Sequence, residues 1–121
     1  MTARRNVVVV LVTCPTRAVA SRLAQRLIGE RVAACVNVIP DVESTFRWQG
    51  KIERCRETLL VIKTTATRFT QLKRAVLRLH PYDVPEIIAL PVVAGHAPYL
   101  RWVVDSLTAQ NPTGIFKTRG S

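Results

Sequence analysis

Five side chains of this 121-residue chain could hold a soft or borderline metal ion: Cys14, Cys35, Cys55, His80 and His96. Thiolate is a soft donor and imidazole tolerates soft cations, so a pairing of the two favours copper(I). Each candidate also has a structural reading. Cys35 stands in an apolar strand, where a thiol is commonly a small core hydrophobe. His80 precedes Pro81 and suits the end of a helix, hydrogen-bonded to loop carbonyls. Cys14, at a strand end beside a polar turn, is the thiol expected to be exposed. Cys55 lies between Arg54 and Arg56, which would lower its pKa if their charges faced it; the alternative is a solvated bystander. His96 follows Gly95 and fits the turn before a helix.

No catalytic constellation accompanies these residues. The chain has no nucleophile elbow, no phosphate-cradling glycine loop and no H-E-x-x-H. Glu86 beside His80 could form an acid–base pair, but a chain with eight acidic residues will often place one near a histidine by chance. A non-enzymatic role is expected. Three cysteines without C-x-x-C spacing argue against a disulfide framework and fit a reducing cytoplasm. Arg4-Arg5, the run Val7 to Val12 and Ala18-Val19-Ala20 imitate a secretory leader, but Pro15 and Arg17 interrupt the layout. The same run makes a good central strand, and no apolar stretch approaches the ~20 residues a membrane helix needs.

The elements that must position these groups follow from periodicity. Asn6 to Thr13 is a β-branched run, hence a strand buried on both faces. Val19, Leu23, Leu27 and Ile28 recur at helical spacing from Ala18 to Ile28. Ala33 to Thr64 reads as a long hairpin turning at Gln49-Gly50, where a tight turn needs positive φ. Its arms, about 15 residues each, would reach roughly 50 Å at ~3.3 Å per residue. A compact chain of this size is only about 35 Å across, so the hairpin either protrudes or breaks at Pro40. A second helix, capped by Thr65 or Thr67, carries Phe69, Leu72, Val76 and Leu79 on one stripe up to His80. Glu86 to Val93 is a fourth strand, and Pro98 opens a third helix through Leu107.

Strand–helix–strand–strand–helix–strand is the ferredoxin-like α+β order, with an extended hairpin between the second and third strands and a C-terminal helix added. Its sheet is ordered 4-1-3-2, with the first two helices on one face. The other face cannot be polar here, because Val7 to Val12 and Leu59 to Ile62 place apolar residues on both sides. Such a face marks an interface, and an edge ribbon bearing Phe46 and Trp48 invites pairing with another chain. Residues 1–107 are expected to form one domain and 108–121 a loose tail. Strand directions bring Cys14 and His80 to the same end, beside Tyr82 and Glu86, and leave Cys35 at the other.

Several spaced motifs resemble one family. Ala33-Ala34-Cys35-Val36-Asn37 with Ile39-Pro40, Trp48-x-Gly50-Lys51-Ile52-Glu53, Ile62-Lys63-Thr64 and His80-Pro81-Tyr82-x-Val84-Pro85-Glu86 look like the CutA divalent-cation-tolerance family. Thr13-x-Pro15 and Tyr99-Leu100-x-Trp102 fit its first strand and last helix. The resemblance implies a homotrimer, an architecture shared with PII signalling proteins, with Phe46, Trp48 and Tyr82 at the oligomer interface. It also implies metal tolerance with copper or another divalent metal bound weakly, for which Cys14, His80 and Glu86 are the candidate ligands. In the family the first-strand thiol lies within the strand; here the thiol is Cys14, at the strand's end.

Charge adds a feature that the resemblance leaves unexplained. Eighteen basic against eight acidic residues give a net charge of +10, and the first two helices carry most of it on one face. Two alternatives to metal handling follow. One is a PII-like trimer binding a small anion between subunits near Arg17 and Lys63. The other is a polyanion binder, for which nucleic acid would be held non-specifically through its backbone. The central strands lack the aromatics that base stacking requires. No membrane association is expected.

Overall fold

The computed structural model describes residues 6–108. The elements are β1 (Val7–Cys14), α1 (Arg17–Gly29), β2 (Cys35–Trp48), β3 (Lys51–Thr65), α2 (Phe69–Leu79) entered through a 3-10 turn at Ala66–Arg68, β4 (Ile87–Pro91) and α3 (Ala97–Ser106). The sheet is ordered β2-β3-β1-β4 with every neighbour antiparallel. This is the ferredoxin-like arrangement expected from the pattern of elements. The tail expected from 108 onward lies outside the described residues beyond position 108.

Pleat alternation divides the side chains of β1. Val10, Val12 and Cys14 join Leu60 and Ile62 of β3 in a core sealed by Ala20, Leu23 and Leu27 of α1 and Leu72, Ala75 and Val76 of α2. α1 starts at Arg17, one residue before the apolar pattern, because the Thr16 hydroxyl accepts the Val19 N–H at 3.1 Å. β4 is shorter than the Glu86–Val93 expectation. Pro91 has no N–H to donate, and one further bond, Val92 N–H to the Val7 carbonyl, ends the pairing.

The opposite face is neither wholly bare nor polar. α3 covers its Val7 end, where Val7, Leu100 and Val103 are buried together. The remainder exposes a continuous apolar strip. Val9, Leu11, Leu59 and Val61 are half-buried, and Ile39, Ile88 and Leu90 are 42%, 48% and 47% exposed. Two arginines hold α3 in place from the helix side. Arg31 donates to the Ser106 and Thr108 carbonyls, and Arg68 donates to those of Arg31 and Leu107.

The hairpin both protrudes and bends. Gln49 and Gly50 have φ of 50° and 81°, the positive pair that a two-residue turn requires. The ladder slips between Ile39 and Val42, with Asp41 at φ 63°, so Pro40 sits in a bulge and pairing continues past it. β1 stops pairing with β3 at Cys14 opposite Thr58. Lys51 to Glu57 therefore form a two-stranded ribbon with β2 that extends about 23 Å at ~3.3 Å per residue.

Two thiols are not where their sequence context suggested. Cys14 shares the parity of Val10 and Val12, so it points under the helices and is fully buried instead of exposed. Cys35 has the opposite parity to Val36 and Val38, which pack on the core; it is half-buried on the open face, opposite Lys63.

Candidate functional site

The chemistry-bearing residues gather where the ribbon leaves the sheet. α2 ends at Leu79, and the backbone N–H of the next residue, His80, still reaches the Val76 carbonyl at 2.8 Å. The following Pro81 prevents the helix from continuing, and the imidazole turns inward until it is 7% exposed. Its Nδ1 accepts the Tyr82 backbone N–H at 3.1 Å. A backbone N–H can only donate, so Nδ1 is unprotonated and Nε2 carries the hydrogen, which it donates to the Thr13 carbonyl at 2.7 Å. Both ring nitrogens are thereby committed.

Tyr82 packs its ring against His80, with centroids 4.8 Å apart, and its hydroxyl donates to Glu57 Oε2 at 3.0 Å. Glu57 is only 8% exposed on the first rung of the ribbon. Burial, with this carboxylate as the second cause, shifts the neighbouring titrations. Burial, then Glu57, pushes the Cys14 thiol up to about 11. Burial, the hydrogen bond to Glu57 and its charge push the Tyr82 hydroxyl up to about 12. Cys55 is raised by burial and by Glu57 and Glu53, so the lowered thiol that Arg54 and Arg56 suggested is not found. Those arginines alternate to the other face of the ribbon, whereas Glu53 and Glu57 share the face of Cys55.

The strand directions do bring Cys14 and His80 to one end, as expected. The expected metal set Cys14, His80 and Glu86 does not form a centre there. Glu86 is exposed ahead of β4, the Cys14 thiol is neutral at pH 7, and His80 has no free lone pair. Among the described residues no three His, Cys, Asp or Glu side chains converge on a metal position. The described residues of one chain therefore offer no preformed metal site.

The small-anion pairing is corrected as well. A cleft of about 230 Å³ between α1 and the bulge is lined by Arg17 but not by Lys63. Lys63 lies five residues from Thr58 along β3, roughly 17 Å at ~3.3 Å per residue, with its ammonium on Asn37 Oδ1. Arg56 supplies the cleft's second cation, and Asp41 and Glu57 add carboxylates that oppose an anion. Sequence reading missed Asp41, Arg56 and Glu57. The only signal was parity: Glu57 continues the stripe that becomes Leu59 and Val61. Of the interface candidates, Phe46 and Trp48 are 43% and 58% exposed along the ribbon, and Tyr82 is 39% exposed.

A ferredoxin-like sheet with an overlong hairpin and an apolar second face defines a class of α+β proteins whose open face is left to be covered. The family model described as CutA1 divalent ion tolerance protein matches residues 8–106. The chain belongs to that family. The divalent-cation tolerance protein CutA of Thermus thermophilus is 50% identical over 95 residues, covering 78% of this chain and 92% of that protein. Human CutA is 48% identical over 92 residues, which are 76% of this chain and 51% of the human protein, so the chain spans about half that relative. The crystal structure of CutA1 from Oryza sativa matches with a TM-score of 0.85 at 40% identity, covering 90% of this chain and 100% of that one.

Proposed function

We propose that this chain acts in divalent-metal tolerance as a non-enzymatic homotrimer that takes up copper weakly, in a reducing cytoplasm. The observation that carries the reading is the committed state of the soft donors: a buried neutral thiol at Cys14 and an imidazole at His80 with both nitrogens engaged. Copper must displace a proton from the first or a hydrogen bond from the second, which makes uptake weak and pH-dependent. The trimer is supported by the apolar open face, which calls for cover by other copies. The three cysteines are unpaired, in keeping with a reducing compartment.

Titration at fixed free copper(I) tests this. The thiolate fraction of a group with pKa about 11 rises roughly tenfold from pH 7 to pH 8. Apparent affinity should tighten about tenfold over that interval in the parent protein, and Cys14→Ala should lose this dependence. Equal affinity at both pH values, or parent-like behaviour in Cys14→Ala, would contradict the reading.

A further inference from the structure

The two helices on the core side carry a surface that metal handling does not use. Arg17, Arg22 and Arg26 on α1 and Lys73, Arg74 and Arg78 on α2 are all exposed, and neither helix contains an acidic residue. The nearest acid, Glu30 at the α1 C-cap, is already shared: Arg26 reaches it at 3.2 Å and Arg78 at 2.9 Å. α1 and α2 pack side by side on one core, so these cations form a single face, with Arg17 at its flank, where it also lines the cleft at the bulge. It lies across the sheet from the apolar strip and stays free when that strip is covered.

We propose that the α1–α2 face binds the phosphate backbone of duplex nucleic acid without reading its sequence. Five of the six cations are arginines, whose planar fork matches phosphate oxygens. α1 has 13 residues, about 20 Å at 1.5 Å each. A duplex of that length carries on the order of ten phosphates, enough to engage the whole row. The helices expose no aromatic ring for stacking on unpaired bases. Their only large exposed apolar side chains are Ile28 and Leu77, one on each helix, which is too little to insert into a lipid surface.

Fluorescence anisotropy with a labelled 20-base-pair DNA duplex of arbitrary sequence, from 50 to 200 mM salt, tests the proposal. The full chain should bind, with log affinity falling against log salt at a slope of about −3 to −5, at ~0.9 per phosphate contacted. Arg22→Gln with Arg74→Gln should reduce that slope by about 2. Glu30→Gln should tighten binding by freeing Arg26 and Arg78, while Arg101→Gln on α3, across the sheet, should change neither slope nor affinity. A second duplex sequence should bind equally. No binding at 50 mM salt would overturn the proposal, as would an unchanged slope in the double variant. Preference for one sequence would overturn it too, as would binding to anionic vesicles with none to the duplex. The variants are surface changes, and a parent-like circular dichroism spectrum certifies their fold.

Discussion

Cys14 is kept neutral by its place on the pleat. The strand that ends in Thr13-Cys14 directs the thiol under α1, and Glu57 adds its charge from the ribbon. This couples stability to alkaline pH. The folded pKa of about 11 lies above the ordinary thiol value of 9.0, so the thiol's contribution is complete below pH 9 and is lost as pH rises toward 11. A difference of that size amounts to about 2–3 kcal/mol. Denaturant unfolding at pH 8 and pH 11 should show the parent losing more stability than Cys14→Ala by roughly that amount; parallel losses would refute the assignment. The residue scale is also where sequence was least legible. That Cys14 and His80 meet at one end followed from strand direction. That His80 is saturated did not, because its two partners are main-chain groups of Thr13 and Tyr82 that any sequence would supply.

Elements were far more legible, because their signals are periodic and local. The valine run of β1, the α1 and α2 stripes and the Gln49-Gly50 turn each marked their element to within a residue or two. The differences arose at boundaries: the Thr16 cap, Pro91 in β4, the Asp41 bulge, and the start of α2, where neither Thr65 nor Thr67 caps the helix because their hydroxyls bond each other at 3.1 Å. The bulge could not be read, since positive φ at Asp41 is imposed by the slip in pairing between Ile39 and Val42. The Thr16 cap has a measurable consequence. Thr16→Ala leaves the Val19 N–H without its acceptor and should cost about 1 kcal/mol of stability. Thr16→Ser, which keeps a hydroxyl, should cost less than half of that. Equal losses in the two variants would show that the hydroxyl does not cap α1.

For the whole molecule, charge and hydrophobicity are segregated to opposite sides of one sheet. Cations line the α1–α2 side, and the apolar strip of Val9, Leu11, Leu59, Val61, Ile39, Ile88 and Leu90 faces the other way. Water against that strip is unfavourable by about 25 cal/mol per Å², and the protruding ribbon with Phe46 and Trp48 extends it. Three copies closing over these surfaces would form an obligate interface, of the kind that commonly buries more than ~2,000 Å². Sedimentation equilibrium at micromolar loading tests this most directly. The parent chain should sediment at about three times the 13.5 kDa of one copy, and Leu11→Asp, which places a charge in the strip, should shift mass toward the single chain. A parent protein that sediments at 13.5 kDa under these conditions would contradict the account.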